Sequence, residues 1–116
     1  MGSRIYLTTT GAGSWTVPSD WNSASNTIEV IGGGAGGNPA VSNTRGGGGG
    51  GGGAYAKKSN VTLTPGASVD YSVGAGGAYS TAGGDTWFGN TVFASATVAA
   101  KGGSAPSGAT GGTGGQ

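Results

Sequence analysis

The stretch RGGGGGGGGAYAKK, Arg45 to Lys58, decides how this chain is read. Eight glycines in succession, Gly46–Gly53, lead through Ala54 into Tyr55 and a lysine pair. Glycine loses more conformational freedom on ordering than any other residue. Such a run is therefore either a slack linker or a segment held by something outside itself. A linker joins two domains, but a chain of 116 residues has room for one. The run also has companions. IEVIGGGAGG (Ile28–Gly37), DYSVGAGG (Asp70–Gly77) and TVAAKGG (Thr97–Gly103) each pass from β-branched residues straight into glycine. The three exits point to one layout, a β core with glycine arms leaving it.

The core is built from little. Leu, Ile, Val and Phe together number 15, and Gly numbers 30. Glycine is thus near a quarter of the chain, against about 7% in ordinary proteins. No helical period is present, and Gly, Thr, Ser and Val dominate. Strand signals appear at Arg4–Thr10, Ser14–Val17, Asn26–Ile31, Ala54–Leu63, Ser68–Val73 and in the stretch Asp85–Lys101, with a turn at Gly89-Asn90. Pro65-Gly66 suits the centre of a type II turn and predicts a hairpin joining Ala54–Leu63 to Ser68–Val73. The expected fold is all-β: a small sandwich or barrel of six to seven short strands over residues 1–103, with polyglycine II-like arms. A Gly/Ser/Thr-rich tail follows at 104–116, and its composition suggests the front of a longer glycine-rich region. So thin a core favours a homo-oligomer, in which partner chains add burial.

Five basic and four acidic residues, net charge +1, give no electrostatic footprint for nucleic acid. The absence of Cys and His removes disulfides, thiolate metal sites and imidazole catalysis. Asp20, Glu29, Asp70 and Asp85 are scattered along the chain. General acid–base work is left without a paired set, so the chain reads as non-enzymatic and free of cofactors. Gly32–Gly37 satisfies G-x-G-x-x-G, but NPAVSNTR follows where a dinucleotide site needs a helix. No apolar stretch approaches the ~20 residues of a membrane span, and MGSRIYLTTT lacks an apolar signal core, so membrane insertion is not expected. Lys57 and Lys58 read as guards of a strand edge. Trp15 and Trp87 read as core, and Trp21, set among Asp, Asn and Ser, as the exposed tryptophan able to contact a glycan.

The ordered set TTTGAGSWTVPSDW, IEVIGGGAGG, GGGGGAYAKK, LTPGASVDYSVGAGG, AGGDTWF and AAKGG resembles the glycine-rich domain of bacteriophage tail-associated proteins, over about residues 4–103. The resemblance implies a virion structural protein, made in the host cytoplasm and assembled with other virion proteins on a tail fibre, tail tip or particle surface. It implies no catalytic residues. A host cell-surface glycan is the expected external partner. A carbohydrate-binding surface module and an extracellular glycine-rich or ice-binding protein are the alternatives.

In related adhesins, glycine-rich tips pack as polyglycine II helices. Such a helix has three residues per turn and no internal hydrogen bonds, so its backbone groups point outward and can pair laterally. On this reading Gly32, Gly33, Gly34, Gly36, Gly37, Gly46, Gly49, Gly53, Gly74, Gly76 and Gly77 are the packing and surface glycines. Tyr55 is expected to re-enter the β core, with Lys57 or Lys58 facing water. A bulky residue at Gly49 is expected to disturb assembly if the arm is packed.

Overall fold

The computed structural model describes residues 5–39, 46–107 and 110–115. Among these residues six strands form: β1 (Gly11–Thr16), β2 (Thr27–Ile31), β3 (Tyr55–Ser59), β4 (Ser68–Val73), β5 (Thr86–Phe88) and β6 (Val98–Ala100). A single 3-10 turn, Phe93–Ser95, lies between the last two. Strands β1-β4-β5-β6, in that order, make an antiparallel sheet, and β2-β3 make a second. The two sheets pack as a small sandwich, with no closed barrel.

Alternation along the strands sets the core. Val30 of β2 faces Phe88, Val98 and Ala100 of the larger sheet, and Trp15, Ile28, Ala56, Leu63, Val69 and Tyr71 close around them. The rings of Trp15 and Phe88 meet edge-on at 5.7 Å. Trp87 points to the opposite face and meets Phe93 edge-on at 6.1 Å.

Two expectations are corrected here. The segment Arg4–Thr10 is not a strand where it is described: residues 5–10 run irregularly, and Arg4 lies outside the described residues. The hairpin joining β3 to β4 does not form either. Its turn is as expected, with Gly66 at φ +84° and the Ala67 N–H donating to the Thr64 carbonyl at 3.0 Å. The turn nevertheless pairs with Val17 beyond β1, whose N–H donates to Ala67 and whose carbonyl accepts from Gly66, both at 2.8 Å. Residues 60–63 are instead tied to the loop before β2. Asn26 bonds the Val61 backbone in both directions, Ser23 does the same at Leu63, and the Trp21 indole N–H donates to the Val61 carbonyl. Those side-chain bonds carry the chain from one sheet to the other, so β3 pairs with β2, and β4 with β1 and β5.

The glycine segments are the long connections of these ladders. Strand β2 continues into residues 32–38 (arm 1), and residues 46–54 (arm 2) return into β3. Strand β4 continues into 74–78 (arm 3), and 81–85 (arm 4) return into β5. Strand β6 runs out into 101–104 (arm 5), and 110–115 (arm 6) come back alongside. The result is a rod of 58 × 23 × 22 Å with a radius of gyration of 16.9 Å, where a compact chain of this length has about 13 Å.

Candidate functional site

The arms form a bundle held by backbone hydrogen bonds between different segments. Arm 1 donates to arm 2 at every third residue: Gly32 to Ala54 (2.8 Å), Ala35 to Gly51 (2.9 Å) and Asn38 to Gly48 (2.9 Å). Its next residues, Gly33 and Gly36, donate to Gly84 and Thr81 on the returning arm 4. The carbonyls of Gly34 and Gly37 accept from Gly77 and Ser80, beside arm 3. Three successive residues thus face three different neighbours, as a helix of three residues per turn requires. Arm 2 donates to arm 5 from Gly51 and Ala54, and accepts at Gly49 and Gly52 from Gly112 and Gly115 of arm 6. Gly83 donates to Gly103, and Gly103 to Gly33, which closes the centre of the bundle. The stretch 110–115, expected as a tail, is part of this lattice.

At the foot of the bundle, where sheet gives way to glycine helix, two side chains take up donors that no carbonyl meets. The Thr86 hydroxyl accepts from the Gly74 N–H and the Asp85 carboxylate from the Gly102 N–H, each at 2.9 Å. Thr86 is buried, and among the described residues no buried side-chain polar atom lacks a partner.

The glycines divide into two kinds. A Cβ on Gly32, Gly33, Gly36, Gly53, Gly74 or Gly77 would be driven into a backbone carbonyl of a neighbouring segment: Lys101, Ala75, Ala78, Gly32, Gly84 and Thr81 respectively. Gly50, Gly51, Gly83, Gly102, Gly103, Gly112 and Gly115 are equally closed. In contrast, a Cβ on Gly46, Gly49 or Gly52 meets nothing within 4 Å, and on Gly34, Gly37 and Gly76 nothing nearer than 3.4 Å. None of these arm glycines has φ in the left-handed region, so glycine is demanded by close approach and not by backbone conformation. Gly49, picked from the sequence as a test of packing, is an open position; its neighbours Gly50 and Gly51 are the closed ones.

The sequence carries a signal for this arrangement in its paired glycines. The motif X-G-G-X, with X not glycine, occurs as AGGN (Ala35–Asn38), AGGA (Ala75–Ala78), AGGD (Ala82–Asp85), KGGS (Lys101–Ser104), TGGT (Thr110–Thr113) and TGGQ (Thr113–Gln116). Side chains recur at the three-residue period of the helix, and each motif encloses at least one closed glycine. Arm 2 hides the same period, because every residue of Gly46–Gly53 is glycine.

Trp21 is half-buried, its ring edge-on to Trp15 at 5.9 Å and its N–H given to Val61. The exposed rings are tyrosines. Tyr55 does not turn into the core: Ala54 and Ala56 take the inward parity, and Tyr55 stands 55% exposed opposite Ile31. Its hydroxyl donates to the Glu29 carboxylate, and that bond, with the negative charge beside it, holds the phenol above its usual pKa. Lys57 and Lys58 are exposed, as expected. A shallow cleft of about 390 Å³ opens between Phe93, Lys101, Ser104 and Thr113, with the Lys101 ammonium 5.9 Å from the Phe93 ring centre. Among the described residues no group of acidic side chains could hold a metal ion, and no helix is long and apolar enough to cross a membrane.

Against known proteins, a family model described as a glycine-rich domain matches residues 8–116. No curated protein and no solved structure matches.

Proposed function

From the premise that this chain belongs to the glycine-rich domain family, we propose that it is a non-enzymatic structural component of a bacteriophage particle. In this reading it is a tail-fibre, receptor-binding or particle-decorating module that assembles with other virion proteins on the outside of the particle. The observation that supports this best is the bundle itself. Six short glycine segments, paired through their backbones, extend a minimal β base into a rod. Such a module offers shape and bare backbone in place of reactive side chains. The open positions Gly46, Gly49 and Gly52 present main chain that a neighbouring virion protein can approach closely. The resemblance of its ordered motifs to phage tail-associated glycine-rich domains supports the phage setting.

Mass spectrometry of purified, intact phage particles tests the reading. The protein is expected at a fixed stoichiometry to the other structural proteins. Its absence from particles, with the protein present in the infected cell, would overturn it.

A further inference from the structure

The larger sheet has an unusual edge. Strand β1 is its outermost strand, and its residues, Gly-Ala-Gly-Ser-Trp-Thr, include no charge and no proline. Natural edges are commonly blunted by lysine, proline or a covering segment. The other edges here have such protection: β2 carries Glu29, β3 carries Lys57 and Lys58, and β6 lies against the second sheet. Val17 turns its backbone groups toward the strand-β4 side, through Ala67 and Gly66. By the alternation of an antiparallel ladder, Ala12, Ser14 and Thr16 then direct their N–H and C=O groups to the open side. The Ser14 hydroxyl reaching Asp70 at 3.1 Å agrees with this parity, since side chains of non-hydrogen-bonded pairs stand closest.

Immediately before this edge lies the segment Ile5–Thr10, IYLTTT, whose alternation and β-branched composition are those of a strand. Among the described residues it makes no backbone or side-chain hydrogen bond, and it leaves Ile5 52% and Tyr6 72% exposed. It is not folded back onto its own β1, whose only ladder partner among the described residues is β4. Gly11, at φ +103°, turns the chain as it enters β1.

A strand-like segment without a ladder and an unguarded edge of equal length, six residues each, therefore follow one another in a chain that does not pair them. We propose that they are joined between two copies: Ile5–Thr10 of one protomer adds as a strand to the open edge of β1 in a second, and the exchange is reciprocal. A two-fold axis makes both additions identical, as isologous contacts require. The contact merges the two larger sheets into one, by main-chain pairing of the strand-addition type. This inference does not rest on the virion reading; it concerns the association of the module with itself.

The test is the mass in solution of the full chain, by light scattering coupled to size exclusion over a range of concentrations. A dimer is expected. Leu7→Pro and Thr8→Pro are then made separately. Adjacent strand residues face opposite sides, so one of the two must remove a ladder donor. That variant should dissociate at least about tenfold more readily, a change of about 1.4 kcal/mol. Circular dichroism should show the monomer's fold intact, because the segment makes no hydrogen bonds among the described residues. A wild-type chain that stays monomeric at the highest concentration, or a dimer that neither proline weakens, would overturn the proposal.

Discussion

At the scale of single residues, the contrast within the glycine run is sharper than its uniform sequence suggests. Gly49 and Gly51 are two residues apart in one arm, yet a methyl group at Gly49 enters open space, while one at Gly51 would be driven into the Thr113 carbonyl. Neither has a left-handed φ, so alanine is conformationally acceptable at both. Gly49→Ala should be neutral or stabilising by about 0.4–1 kcal/mol, through the lower freedom of its unfolded chain. Gly51→Ala should cost about 1–3 kcal/mol or more, as overpacking does. Thermal or denaturant unfolding of the two variants checks this, and equal stabilities would remove the packed bundle. Composition showed that glycine was needed somewhere in this run. It could not show which glycines, because the run has no side chains to mark its inner and outer faces.

At the scale of elements, the sheet ladders do not end where the strands do. The β2/β3 register that pairs Ile31 with Tyr55 continues through Gly32–Ala54, Ala35–Gly51 and Asn38–Gly48. The β4/β5 register continues to Ala75–Gly84, and the β5/β6 register to Gly83–Gly103. A strand rises about 3.3 Å per residue and a polyglycine helix about 3.1 Å, close enough for register to survive while the bonding period changes from two to three. Amide exchange followed residue by residue should show that change. Along arm 1, the N–H groups of Gly32, Gly33, Ala35, Gly36 and Asn38 should exchange slowly, and those of Gly34 and Gly37, which donate to none of the described residues, quickly. Uniformly fast exchange along the arm would mean a slack segment.

Much at this scale was legible in the sequence. The runs of β-branched residues into glycine at Ile31, Val73 and Ala100 marked strand exits correctly, and Thr64–Ala67 was a type II turn as Pro65-Gly66 suggested. What failed was pairing across distance. The residues that send β3 and β4 to different sheets are Trp21, Ser23 and Asn26, some 35 to 40 positions away from the carbonyls they bond. No local pattern encodes such partners. Tyr55 was misplaced for a related reason: the alanines on either side of it gave too weak an apolar signal to fix which face was inward.

At the scale of the molecule, the β base is small and fixed, and the bundle is a set of paired excursions from it. Along the chain, outgoing arms 1, 3 and 5 alternate with returning arms 2, 4 and 6, and the bonds of arms 1 and 2 to their neighbours repeat at three residues. The module therefore has a length that comes in steps. Adding three residues to the far ends of both arm 1 and arm 2 should lengthen the rod by about 9 Å, at about 3.1 Å per residue, and leave each closed glycine facing its old neighbour. Adding one residue rotates every position beyond it by a third of a turn and brings open and closed faces out of phase. The three-residue insertion should keep the unfolding temperature near that of the parent, and the single insertion should lower it; equal losses would contradict the step. Lineages carrying this module can thus change its reach by whole triplets without altering a strand, and gains or losses of length in the arms should be found in multiples of three.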